Sequence, residues 1–275
     1  MIIDGHAHSA GPFFRAETLK AKLDELGVDK VVLCQNIRNN GKEVWVPFEN
    51  LEIGSSSWPA YLSNKFLRLS AWLMSANRHL QERNEFVRTR AGQCPDRVIS
   101  FYWVNPKDPN ALADAEMAVN QDGFRGIKLH QCVNAFSCDD PILDDLAAFA
   151  ARKAVPIFIH LYSKAEVRKF LEWVRRHPDT NFVVAHLIGL EILAPHAAEI
   201  GNIYVDISPA YGSKKDWVRT AISIFGAGRV TFGSDTPFGR NGLARNLAKI
   251  RSLNLGAGEE AQILGGNMAR LLGLE

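Results

Sequence analysis

Eight short apolar runs, each long enough for one strand, alternate with longer stretches whose apolar residues recur at helical spacing. That alternation constrains the fold more than any other feature. The runs fall at residues 2–4, 30–34, 98–104, 126–129, 156–159, 182–185, 203–206 and 230–233. Amphipathic stretches at 16–26, 111–120, 142–151, 165–176 and 217–225 lie between them. Parallel strands need a crossover to return to the same end, and a helix supplies it, so the alternation predicts a parallel sheet. Eight is also the number that closes into a (β/α)8 barrel of about 250 residues. A doubly wound open sheet is disfavoured, because no Gly-rich phosphate loop follows the first strand. The expected fold is α/β, a (β/α)8 TIM barrel forming one domain over residues 1–275.

One connection is too long for a βα loop plus helix: residues 35–93, after the second strand. Its first half holds Trp45, Phe48, Trp58, Tyr61 and Phe66 among Gly and Ser, and residues 38–70 read as a cap inserted over the barrel mouth. Residues 71–90 read as an ordinary barrel helix and 259–272 as a final one. The aromatics of the insertion suit either a lid or a homo-oligomer contact.

Composition removes several classes of partner. The formal net charge is only +2, so no charge excess points to nucleic acid or an anionic membrane. No run approaches the roughly 18 apolar residues of a membrane span. A strand begins at residue 2 where a leader would need a basic region and an apolar core, so a cytoplasmic location is expected. Cys34, Cys94, Cys132 and Cys138 have neither zinc-finger spacing nor a compact disulfide framework and are expected as free thiols.

Five of the eight histidines stand at the carboxyl ends of proposed strands, where catalytic residues of such barrels cluster. The first run ends in His6-Ala7-His8, whose imidazoles share one face because they are two residues apart. The fourth ends in Lys128 and His130, the fifth in His160, the sixth in His186, and Asp235 follows the eighth. Neutral imidazole and carboxylate are the donors Zn²⁺ prefers, and a catalytic site keeps one position open. His6, His8, His160 and Asp235 would supply that set around a divalent metal, with one Zn²⁺ favoured over two. Asp235 could also move a proton, and His186 could polarise or protonate the reacting group. Lys128, pointing inward, could be carboxylated and bridge two metals, bind an anionic substrate, or pair with Asp206 or Asp235. Non-bridging roles are preferred, and some partner is required. Asp4 and Asp206 are expected to orient ligands by hydrogen bonds.

The ordered set Ile3-Asp4-Gly5-His6-Ala7-His8, Gly126-Ile127-Lys128-Leu129-His130, His160, Ala185-His186 and Ser234-Asp235-Thr236-Pro237 resembles the amidohydrolase superfamily. More narrowly, it is similar to the amidohydrolase-related group that includes the aminocarboxymuconate-semialdehyde decarboxylase branch. The resemblance implies a distorted TIM barrel with a divalent metal, usually zinc, at its mouth. It matches His6, His8, His160 and Asp235 to the metal ligands and His186 to the catalytic histidine. The leading expectation is a metal-dependent hydrolase that cleaves a small amide, lactone or ester bond with activated water. The alternative is a lyase that decarboxylates or hydrates an aromatic-derived acid, with Arg38 or Arg68 of the insertion clamping a carboxylate. A binding protein without catalysis is disfavoured, because every proposed ligand position holds a competent donor.

Overall fold

The computed structural model describes residues 1–37, 40–46 and 56–274. Among them the eight expected runs appear as nine strands: β1 (Ile3–His8), β2 (Lys30–Cys34), β3 (Val98–Ser100), β4 (Tyr102–Trp103), β5 (Ile127–His130), β6 (Ile157–His160), β7 (Phe182–Val184), β8 (Ile203–Asp206) and β9 (Val230–Thr231). Every ladder is parallel, in the orders β1-β2-β3 and β4-β5-β6-β7-β8-β9.

Backbone hydrogen bonds join these two arcs at both ends. At Phe101 the chain passes from one neighbour to the other: Phe101 N donates to Leu33 O (3.0 Å) and Tyr102 N to Gly126 O (2.8 Å). Beyond β9, Gly5 N donates to Phe232 O (2.9 Å), Asp235 N to His6 O (2.8 Å) and His8 N to Thr236 O (2.7 Å). The arcs therefore form one ring, the TIM-barrel architecture that the alternation predicts.

Alternation along each strand sorts side chains into two apolar layers. Val31, Leu33, Ile127, Leu129, Ile157, Ile159, Val205 and Val230 pack outward with the helices. Ile3, Val32, Phe101, Trp103, Phe158, Val183 and Tyr204 fill the interior. β1 departs from simple alternation, because Asp4 pairs with Val31 but Ala7 with Leu33, one extra residue on the β1 side. Such a bulge shifts the inward set by one position. Ile3 is inward below it, and His6 and His8 are inward above it.

Two helices differ from expectation. The single helix expected over 71–90 is instead the end of helix Trp58–Leu73 followed by helix Leu80–Gln93. The break contains Ser75 (φ 51°) and His79 (φ 61°), left-handed conformations that a continuing helix does not admit. The final helix runs Ala257–Ala261 and Asn267–Leu271 around a π-helical turn, Gln262–Gly266. Among the described residues no helix is long and apolar enough to cross a membrane, and the four cysteines are unpaired and buried.

Candidate metal centre and active site

β1 brings His6 and His8 to the carboxyl-end rim, where Asp235 meets them. His8 Nδ1 lies 2.8 Å from Gln35 O, and a carbonyl only accepts, so Nδ1 carries the proton and Nε2 the lone pair. That Nε2 is 3.2 Å from Asp235 Oδ1. Two electron-rich atoms so close, both buried, require a positive charge between them, either a proton or a metal cation. In the protein alone the proton takes that place: burial would lower the His8 pKa, but Cys34 and Asp235 outweigh it and raise it to about 10.

His6 is held from the opposite side. Ser208 Oγ donates to Asp206 Oδ2 and so accepts from His6 Nδ1 at 3.1 Å. The His6 Nε2 lone pair then accepts from Lys128 Nζ (3.1 Å) and lies 3.7 Å from Asp235 Oδ1. Burial, with the positive charge of Lys128 and His8, holds the His6 pKa well below the usual imidazole range. A neutral imidazole is the form that binds metal.

Ser208 also governs His186. His186 Nδ1 donates to Ser208 O (2.8 Å), and its backbone N donates to Asp206 Oδ2 (3.2 Å). Its basic nitrogen is therefore Nε2. The His186 ring stands 5.3 Å from that of His6 and 4.9 Å from that of His160. This crowding needs a glycine alongside: a Cβ on Gly233 would lie 2.6 Å from Asp206 Oδ1 and 3.0 Å from His6 Cβ.

His160 is fixed by helix Trp58–Leu73. Asn64 Nδ2 donates to Leu161 O (2.9 Å) and Tyr162 O (2.8 Å), so Oδ1 accepts from His160 Nε2 (2.8 Å) and Nδ1 keeps the lone pair. One turn on, Arg68 Nη2 donates to Gln131 O (2.8 Å), and its guanidinium lies 3.4 Å from the Tyr162 ring centre. Arg68 Nε is buried with no hydrogen-bond partner among the described residues.

His6, His8 and Asp235 thus converge directly, and His186 stands between His6 and His160. Among the described residues, ligand atoms within 4.8 Å of one another form three groups: His6 with His8 and Cys34, His6 with His186 and Asp206, and His130 with Cys132 and His160. His160 does not group with His6 and His8 at that distance. His130 stacks on it at 4.1 Å and 10°, with Trp103 on the other side of His130 at 5.2 Å.

Lys128 is buried with Nζ 4.1 Å from the Phe158 ring centre. Among the described residues it makes no ion pair with Asp206 or Asp235, and burial lowers its pKa. Asp235 is buried too, which alone would raise its pKa; His186, His8 and Lys128 outweigh this and hold it below the usual carboxylate range. Asp4 accepts from Ser234 N (2.8 Å), Ser234 Oγ (2.6 Å) and His6 N (3.4 Å), so it ties β1 to the turn bearing Asp235. Arg38 lies outside the described residues, as does Phe48.

Sequence reasoning missed Ser208, Asn64 and Gln35. Ser208 had a signal, since it follows Asp206 by two and shares its face. Asn64 and Gln35 had none: Asn64 acts across 96 residues of chain, and Gln35 holds His8 through its main-chain carbonyl.

The whole chain is similar in fold to three solved decarboxylases. The dihydroxybenzoic acid decarboxylase from Polaromonas, solved with manganese and the inhibitor 2-nitroresorcinol, matches at TM-score 0.72 and 16% identity, covering 99% of this chain and 97% of its own. The 2,6-dihydroxybenzoate decarboxylase from Rhizobium matches at 0.70 and 15%, covering 99% and 98%. The 5-carboxyvanillate decarboxylase from Sphingomonas paucimobilis matches at 0.67 and 14%, covering 100% and 99%. No curated protein matches the sequence. The expectation of amide, lactone or ester hydrolysis is overturned by these neighbours, which are lyases. Its physical flaw is that imidazoles and a carboxylate around one ion serve either chemistry, so the donors alone never favoured hydrolysis. The amidohydrolase family model matches residues 68–274, and with that match over most of its length the chain belongs to the amidohydrolase family.

Proposed function

We propose that this chain is a divalent-metal-dependent lyase that removes CO₂ from a small aromatic carboxylic acid. The observation that carries this reading is Arg68. Its guanidinium is placed beside the residues that follow His130 and His160, with a buried Nε left unpaired among the described residues. An unpaired buried cationic donor calls for an anion, and a carboxylate fits its planar fork. A neutral amide or ester could accept from that N–H but would bring no negative charge to balance the guanidinium. The three decarboxylases of like fold support the same choice.

His6, His8 and Asp235 would hold the metal, and His160, which does not group with His6 and His8 within 4.8 Å, would have to turn toward them to complete the set. The charge demanded between His8 Nε2 and Asp235 Oδ1 fits a cation there, and nitrogen and oxygen donors suit Zn²⁺ or Mn²⁺. When bound, the ion would supply Lewis-acid charge for the substrate's oxygen atoms. Arg68 neutralises and orients the carboxylate as it enters. Loss of CO₂ breaks the ring–carboxyl C–C bond, returns its electron pair to the ring, and needs one proton at the vacated carbon. Asp235, an ionised carboxylate at rest, takes the proton of the substrate's ring hydroxyl and passes it to that carbon. His186 would steady the charge that develops on the ring oxygen once its basic Nε2 has taken up a proton and can donate. Helix Trp58–Leu73, which begins within the 38–70 insertion, serves as the cap of this single domain through Asn64 and Arg68.

The test is to load the protein with Zn²⁺ or Mn²⁺ and incubate it in D₂O with hydroxybenzoates, lactones and amides. The expected result is metal-dependent CO₂ release with one deuterium at the vacated ring carbon. Hydrolysis without CO₂ from any member of the panel would overturn the proposal.

A further inference from the structure

Helix Trp58–Leu73 has two unlike faces. Asn64 and Ala71 are buried against the barrel, beside Arg68. On the opposite face Trp58, Leu62, Phe66, Leu69, Trp72 and Leu73 are 62%, 42%, 67%, 55%, 74% and 67% exposed. At 3.6 residues per turn these six fall within an arc of about 120°, and the only charge among them is Lys65. Three aromatic rings and three leucines so exposed present on the order of 700 Å² of apolar surface. That exceeds the roughly 300–600 Å² of the largest patch on a typical monomer. It is close to the roughly 800 Å² that each partner contributes to a stable interface.

We infer that this face is where a second copy of the chain docks. A single helical stripe can pair with its own copy about a two-fold axis, the commonest closed symmetry. Each Lys65 can lay its stem along the apolar surface and keep its ammonium in water at the rim. A membrane surface fits less well, because a lipid-binding helix carries several basic residues, and here the remaining face is used up on the barrel. Pairing would clamp the helix whose inner face holds His160 through Asn64 and positions Arg68. The contact between copies therefore steadies the helix that carries Asn64 and Arg68.

Sedimentation velocity of the full chain across a concentration series tests the inference, and it does not depend on the reaction assigned above. The wild type should sediment as a dimer. Phe66→Glu should raise the dimer dissociation constant at least 100-fold, and Leu69→Ser should raise it more mildly. Met117→Glu, at an exposed position on helix Ala111–Asn120, should leave it unchanged. Circular dichroism checks that each variant is folded, and Leu69→Ser keeps the test open if Phe66→Glu is not. A monomeric wild type, a dimer untouched by both stripe variants, or a monomer that co-sediments with anionic vesicles would overturn the inference.

Discussion

Replacing Ser208 by alanine removes one hydroxyl and should loosen the metal centre without unfolding the barrel. Its Oγ donates to the buried Asp206 carboxylate and accepts from His6 Nδ1 at 3.1 Å. Without it, His6 Nδ1–H keeps only Asp206 Oδ2, 3.7 Å away and beyond hydrogen-bond reach. Asp206 keeps the backbone N–H groups of His186 (3.2 Å) and Ser208 (3.3 Å), so it is not stranded. His186 keeps its bond to Ser208 O. The cost to folding is one bond to a charged group, about 1.5–3 kcal/mol. The cost to the metal is the lost orientation of one imidazole, about 10–100-fold in affinity, or about 1.4–2.7 kcal/mol. Competition against a chromophoric chelator measures the second quantity, and urea unfolding of the metal-free protein measures the first. If Ser208→Ala binds Zn²⁺ and Mn²⁺ as tightly as wild type, His6 is not a ligand held by this hydroxyl, and the assignment of its Nε2 to the metal fails.

His186→Asn should spare metal affinity and lower turnover by about 10²–10⁴; a metal-free protein would instead make His186 a ligand. His6→Ala and Asp235→Ala should each deplete bound metal, read by elemental analysis after dialysis, as well as abolish turnover. Arg68→Ala should raise KM for a carboxylate substrate by about 10–100-fold, the worth of one charge-assisted contact, with metal content unchanged; an unaltered KM would remove Arg68 from substrate binding. Gly265→Ala would push a methyl group onto Met1 O and to 3.0 Å from Ile3 N, so stability should fall by about 1–3 kcal/mol, visible as a lower urea midpoint with metal affinity intact.

What the sequence displays well is whatever depends on neighbours in the chain. The runs at 30–34 and 203–206 coincide with β2 and β8, because buried parallel strands are apolar throughout and end abruptly. The first strand was harder to bound. Its upper half, His6 to His8, is polar, yet it hydrogen-bonds to the segment beyond β9 as surely as an apolar strand would. The polarity that marks the site also hides the strand carrying it. The helix break at Ser75 and His79 had no Gly or Pro to announce it.

The site was legible as a set of donors and illegible as a geometry. Parity alone places His6 and His8 on one face, and a metal-ligating inventory needs little more. What parity does not convey is which ring nitrogen each histidine offers. That depends on Gln35 O for His8, Ser208 Oγ for His6, Asn64 Oδ1 for His160 and Ser208 O for His186. For His6, His8 and His160 these acceptors are 202, 27 and 96 residues distant in the chain, so only the closed barrel selects them. The choice of reaction lies one layer further out. The same lone pairs and the same carboxylate can ready water for attack or hold an acid while it loses CO₂. The discriminating group is then a cation aimed at the substrate rather than at the metal. In the function proposed above, Arg68 would take that position from a helix outside the repeating βα pattern, and the part of the chain least constrained by the barrel would then decide what the barrel does.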